Sequence, residues 1–66
     1  MQVIVNGTPQ PLPEGSTVSQ LLERMSLAGK RVAVERNGEI VPRSLHAQAA
    51  LADGDRLEIV AAVGGG

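Results

Sequence analysis

Two Asn-Gly dipeptides, Asn6-Gly7 and Asn37-Gly38, constrain this 66-residue chain more than any other feature. Each follows a short run with strand character, Gln2-Val3-Ile4-Val5 before the first and Arg31-Val32-Ala33-Val34-Glu35-Arg36 before the second. A two-residue hairpin turn needs φ > 0 at both central positions, and Asn-Gly meets that demand with little strain. Each dipeptide therefore predicts a tight antiparallel hairpin. The first would return through Thr8 to Pro13, with proline at 9, 11 and 13. Alternate residues of a strand point their N–H groups to one side, so three prolines at period two leave that side without donors. Gln10 and Leu12 remain to pair with the first strand, as in an edge strand protected against further pairing. The second hairpin returns through Glu39-Ile40-Val41 and stops at Pro42.

Between the hairpins, Thr17-Val18-Ser19-Gln20 matches a capping box, with Thr17 as N-cap and Gln20 three residues on. Val18, Leu21, Leu22 and Met25 follow at helical spacing and predict a core-facing stripe. The helix should end between Met25 and Ala28, with Gly29 as terminator. Ser44 to Ala50 reads as a helical turn or irregular stretch anchored by Leu45 and Leu51. Asp53-Gly54-Asp55 turns into a last strand, Arg56 to Val60, whose Leu57 and Ile59 alternate with polar neighbours. Two hairpins around one helix, closed by a fifth strand, give the order β-β-α-β-β-β. That is the β-grasp layout of ubiquitin: an α+β domain with a mixed sheet of four to five strands packed on one central helix. The division expected is a domain over 1–63 and a flexible Gly-Gly-Gly tail over 64–66.

Composition removes several classes of function. A domain of this size buries only ~60% of its unfolded surface. With no cysteine and no Phe, Tyr or Trp, the core must be aliphatic and unstapled. A single histidine rules out a multi-histidine metal cluster. A net charge of −1 and no stacking aromatics argue against a nucleic-acid surface. No apolar run approaches the ~20 residues of a membrane span, and no signal peptide precedes the first strand, so a cytoplasmic protein is expected.

Catalytic constellations are sparse. Any of the serines would have to share His46 as base, and no motif surrounds Ser44 and His46, so His46 reads as a surface residue. Asp53 and Asp55 are more simply turn residues than an acid–base pair or metal site. Lys30 is the only lysine, and its neighbour Arg31 suggests a solvated end. Arg43 could contact a partner or face water. The one unusual chemical group is the terminal carboxylate. Gly64-Gly65-Gly66 follow the last strand through Ala61-Ala62-Val63. Terminal glycines are common as frayed ends, but a tether without Cβ atoms can also thread a narrow channel. Three extended residues reach about 10 Å and six about 20 Å, which suits a terminus that is itself a substrate.

In these stretches the chain resembles the sulfur carrier proteins of thiamine biosynthesis, the ThiS family. The matching segments include Val5-Asn6-Gly7, Thr17-Val18-Ser19-Gln20-Leu21-Leu22 and Val32-Ala33-Val34-Glu35. Asn37-Gly38-Glu39-Ile40-Val41-Pro42-Arg43, Asp53 to Val60 and Ala62-Val63-Gly64-Gly65-Gly66 complete them, in order and over most of the chain. The family's essential Gly-Gly ending maps onto Gly65 and Gly66, with Gly64 one glycine more. The resemblance implies that Gly66 carries the adenylate and then a thiocarboxylate, while Gly64 and Gly65 thread partner active sites. It implies three partners: a ubiquitin-activating-type adenylyltransferase using Mg-ATP, a cysteine desulfurase or sulfur relay protein, and thiazole synthase as acceptor. The chain itself would bind no cofactor or metal and would be a protein co-substrate, not an enzyme. A molybdopterin-type carrier shares the fold and chemistry but tends to be longer and richer in aromatics. A ubiquitin-like modifier, or a β-grasp binding module with an idle tail, is a further reading.

A partner surface also follows from alternation. If Val3 and Val5 face the helix, Ile4 faces away, and so do Ala33 and Val60. These three could form an exposed apolar patch leading to the tail, or be ordinary scattered surface residues. A monomer that associates transiently is expected.

Overall fold

The computed structural model describes residues 1–61. The elements are β1 (Gln2–Val5), β2 (Thr8–Pro11), α1 (Val18–Arg24), β3 (Val32–Arg36), β4 (Glu39–Ile40), a 3₁₀ turn (Arg43–Leu45) and β5 (Arg56–Ala61). The five strands make one sheet in the order β2-β1-β5-β3-β4. The last strand lies at its centre, parallel to β1 with Val5 opposite Leu57, and antiparallel to β3 with Val34 opposite Ile59.

Both Asn-Gly turns form as the sequence predicts, with Asn6 at φ +49° and Gly7 at +83°, and Asn37 at +51° and Gly38 at +88°. The proline strand takes the edge beside β1. Leu12 and Met1 exchange two hydrogen bonds, the Leu12 N–H to the Met1 carbonyl at 2.8 Å and the Met1 ammonium to the Leu12 carbonyl at 2.9 Å. Pairing thus reaches one residue past Pro11, and the prolines turn their donorless side outward.

α1 begins with the full capping box: the Gln20 N–H donates to Thr17 Oγ1 at 3.3 Å and the Thr17 N–H to Gln20 Oε1 at 2.9 Å. The next two N–H groups of the first turn are also satisfied, Val18 by the Ala49 carbonyl at 3.0 Å and Ser19 by the His46 carbonyl at 3.0 Å. The other end is capped at Met25, within the expected stretch, but its terminator is not Gly29. Ser26, at φ +60°, terminates the helix; its N–H bonds the Glu23 carbonyl at 3.0 Å, and the Leu27 N–H bonds the Leu22 carbonyl at 2.8 Å. This is a Schellman closure with serine where glycine is usual. Gly29, at φ +79°, belongs to the following turn.

Val3, Val5, Leu12, Val18, Leu21, Leu22, Val34, Leu51, Leu57 and Ile59 are buried together between α1 and the sheet. Among the described residues every buried hydrophobic residue is thus Val, Leu or Ile, an aliphatic core as a chain without aromatics requires. Leu51 anchors its loop, but Leu45 is 45% exposed and His46 is the buried residue. The reason is that the His46 carbonyl must meet the Ser19 N–H at the start of α1, and this turns His46, not Leu45, toward the interior.

Candidate functional site

The last described element, β5, is the middle strand of the sheet. β5 ends at Ala61, which pairs with Val32 at the start of β3. Gly64, Gly65 and Gly66, the expected adenylate and thiocarboxylate site with its tether, lie outside the described residues, as does the expected 63/64 boundary. What the structure describes is the stretch of β5 that precedes that segment, ending at Ala61, the tail root.

β5 is held by two asparagines as well as by its neighbours. The Asn6 side chain accepts from the Ile59 N–H at 2.8 Å and donates to the Ile59 carbonyl at 3.0 Å, so it stands in for the next residue of the parallel ladder beyond Val5. At the start of β5, the Arg56 N–H donates to Asn37 Oδ1 at 3.0 Å and the Asn37 N–H to the Arg56 carbonyl at 2.8 Å. Both residues that turn the hairpins therefore also fix the strand that carries the tail. Their turn role was legible in the Asn-Gly pairs; their grip on β5 was not, because it depends on the order of the strands.

Asp55, just before β5, is a second point the sequence understated. It is 8% exposed. Its carboxylate accepts from the Ala52 N–H at 2.8 Å and from Asn37 Nδ2 at 3.1 Å, and it pairs with Arg36 Nε at 3.0 Å. Burial by itself works to raise the carboxyl pKa. The hydrogen bonds from Ala52 and Asn37 and the charge of Arg36 outweigh it and hold the group below the ordinary carboxylate value. Asp53 has a separate part: its Oδ1 accepts from the Gln2 N–H at 2.7 Å at the start of β1.

Ile4, Ala33 and Val60 occupy the face of the sheet away from α1, as alternation with buried Val3, Val5, Val34, Leu57 and Ile59 demands. Ala33 and Val60 are directly opposite each other beside the tail root. Ile4 lies farther off, with Pro9 on one side and Arg56 on the other. Glu58 stands between Arg56 and Val60 along that face and opposes Glu35 on β3. Val60 is 57% exposed and Ile40, on β4, 62%.

Among the described residues, no reactive centre assembles near the tail root. The His46 ring is enclosed, with Nε2 3.0 Å from the Val41 carbonyl, while its backbone carbonyl ties the 3₁₀ segment to Ser19 of α1; it is not the surface residue its irregular context suggested. Ser44 is exposed. Among the described residues, no group of three or more His, Asp or Glu side chains is gathered as a metal site, and no helix is long and apolar enough to cross a membrane.

Comparison with known proteins gives this geometry a lineage. The profile of the ThiS family matches residues 3–66. The sulfur carrier protein ThiS of Escherichia coli is 33% identical over 66 residues, covering all of both chains. A thiazole synthase of Paramagnetospirillum magneticum is 48% identical over 66 residues, all of this chain but only 20% of that protein, so the chain spans about a fifth of that relative's length. Among solved structures, the thiamine biosynthesis protein ThiS from Geobacter metallireducens matches with a TM-score of 0.84 and 35% identity over the full length of both chains. With the sequence match running to the last residue and the same five-stranded sheet on one helix, the chain belongs to the ThiS family, thiamine-biosynthesis sulfur carriers of the ubiquitin-like fold.

Proposed function

We propose that this chain carries sulfur on its C-terminal carboxylate for formation of the thiazole ring of thiamine. A ubiquitin-activating-type adenylyltransferase adenylates Gly66 with Mg-ATP, and pyrophosphate leaves. A persulfide from a cysteine desulfurase, directly or by a relay, then attacks the acyl-adenylate and AMP leaves; a second thiol reduces the resulting acyl disulfide, becoming a disulfide itself, and releases the thiocarboxylate. Thiazole synthase takes that sulfur. The observation that carries the reading is family membership together with a chain that ends in three glycines.

The chemistry suits these residues. A carboxylate is a poor electrophile, and adenylation supplies a leaving group. An acyl-adenylate hydrolyses readily, so the activating site must exclude water. Gly64 and Gly65 add no side chains that a closed channel would have to accommodate. The occurrence of this domain's counterpart within a thiazole synthase supports thiazole synthase as the acceptor. Ala33 and Val60, next to the tail root, with Ile4 farther along, offer the apolar part of the partner surface. The carrier works in the cytoplasm as a monomer that meets each enzyme transiently.

The decisive experiment is intact-protein mass spectrometry after incubation with Mg-ATP, the activating enzyme and a sulfur donor. A mass gain of one sulfur-for-oxygen exchange, localised to Gly66, is the expected result. An unchanged carboxylate with demonstrably active partners would overturn the proposal. Recovery of the chain in amide linkage to other proteins would instead identify a modifier.

A further inference from the structure

Asn6-Gly7 and Asn37-Gly38 share one latent reaction. A glycine nitrogen, unhindered by a Cβ, can attack the Cγ of the asparagine before it, so Asn-Gly is among the least durable dipeptides of a polypeptide. The glycine nitrogen gives up its proton, the side-chain amide leaves as ammonia, and a succinimide ring closes. Water then opens the ring to aspartate or isoaspartate. Over both steps water enters and ammonia leaves, with nothing oxidised or reduced. Attack requires the asparagine amide to turn toward the glycine nitrogen, which breaks the hydrogen bonds that hold it.

The fold restrains the two amides unequally. The Asn6 side chain is bonded through both its polar atoms to the backbone of Ile59, at 2.8 and 3.0 Å. Its hairpin is anchored along β2, four residues long, and past it by buried Leu12 with its two bonds to Met1. The Asn37 side chain has one backbone partner, the Arg56 N–H on Oδ1 at 3.0 Å, while Nδ2 donates to another side chain, Asp55 Oδ1 at 3.1 Å. Its hairpin returns through β4, two exposed residues at the outer edge of the sheet, continued by the Val41 N–H on the Val34 carbonyl at 2.8 Å. A cavity of about 560 Å³, lined by Arg36, Asn37, Glu39 and Ile40 among others, gives solvent access to that amide. A short edge hairpin with exposed side chains opens locally at lower cost than one anchored in the core.

We propose that Asn37 is the site at which this protein deamidates, and that Asn6 is spared by its grip on Ile59. The product matters because of where it forms. An aspartate at this position puts a second carboxylate where Nδ2 now donates to Asp55, and it competes for Arg36, which Asp55 holds at 3.0 Å. Like charges at that separation repel, and the donor to Asp55 is gone. Isoaspartate also lengthens the backbone inside a turn that needs positive φ at both central residues. Either product loosens the clasp on Arg56 at the start of β5 and adds one negative charge to a chain of net charge −1.

The test follows both sites in one molecule. The intact chain is held at mildly alkaline pH, folded and, in parallel, in concentrated urea. Peptide mapping by mass spectrometry then measures the NH-for-O exchange at each asparagine. The urea arm gives the ratio of rates that the local sequences alone produce. Relative to that ratio, conversion at Asn37 in the folded chain should run roughly tenfold or more ahead of Asn6, the factor expected when opening costs about one hydrogen bond less. An isoaspartyl carboxyl-methyltransferase should label the same peptide. A folded-chain ratio equal to that in urea overturns the proposal, as does an Asn37 that stays intact in the folded chain while the unfolded chain converts. The deamidated form, separated by its added charge, and the Asn37→Asp variant should both unfold at lower urea than wild type. Midpoints equal to wild type for both would overturn the coupling to Asp55.

Discussion

Asn6 and Ile59 are 53 residues apart in the chain, and the amide of one pairs with both backbone groups of the other. The turn residue of the first hairpin thereby acts as an added rung of β1, holding β5 two residues before Ala61. Removing the side chain leaves the Ile59 N–H and carbonyl without these partners. Asn6→Gly keeps the positive φ available while deleting the contact, so it isolates the clasp from turn strain. We expect a loss of about 1–3 kcal/mol in urea unfolding and a selective rise in hydrogen exchange at the Ile59 amide. Ile59 protection equal to wild type would show that the clasp contributes nothing.

Ser26 holds the left-handed position of a Schellman closure in which glycine carries no Cβ penalty. Ser26→Gly should raise stability by about 0.5–1 kcal/mol, the conformational relief being partly offset by the greater entropy of the unfolded chain. Thermal melting would register this as an upward shift, and a downward shift would mean that the serine hydroxyl makes a contribution larger than its backbone strain.

His46 braces the Val41 carbonyl with its ring and caps the Ser19 N–H with its own carbonyl. His46→Ala keeps the cap and deletes the brace. The expected cost is about 1–3 kcal/mol, with partial recovery in His46→Gln, whose amide can donate to the same carbonyl. Chemical denaturation of the two variants side by side checks the order: wild type above glutamine, glutamine above alanine.

Asp55 gives the fold an acid limit. Its carboxyl pKa is lower folded than unfolded, so its contribution is fully present above the unfolded value, ~3.9, and is lost as pH falls through the folded value. Urea midpoints should hold from neutral pH to ~5 and drop below ~4 as Asp55 protonates and its pairing with Arg36 weakens. Asp55→Asn should be less stable at neutral pH, with its deficit narrowing in acid. A deficit that does not change with pH would assign the carboxylate's effect to shape, not charge.

Gly65→Val tests the tail. A β-branched residue both widens the tether and restricts its backbone. We expect an unchanged fold by circular dichroism and complete loss of ATP–pyrophosphate exchange. Normal exchange would mean that no narrow channel surrounds the tail.

What the sequence disclosed, and what it withheld, divides along physical lines. Local features were legible: both Asn-Gly turns, the Thr17–Gln20 capping box, the proline edge strand and the inward alternation of Val3, Val5, Leu57 and Ile59 arise from neighbours within a few residues. The end of α1 near Met25 was legible, but its terminator was taken to be Gly29 because glycine is the usual left-handed residue; Ser26 holds that position, followed by Leu27 packed against the core. His46 and Leu45 exchanged places because their orientation is set by a hydrogen bond to Ser19 on another element. The clasps of Asn6 and Asn37 and the burial of Asp55 depend on β5 lying between β1 and β3.

The placement of β5 also bears on synthesis. The last described strand is the one through which the two hairpins are joined, since in the sheet β1 and β3 are hydrogen-bonded to β5 and not to each other. A nascent chain interrupted before Arg56 holds two separate ribbons with open edges and no sheet between them, a form prone to aggregation and proteolysis rather than to docking. Chains that fold are therefore chains translated at least through their final strand. Folding thus requires that β5 be made, and it is indifferent to the residues that follow Ala61.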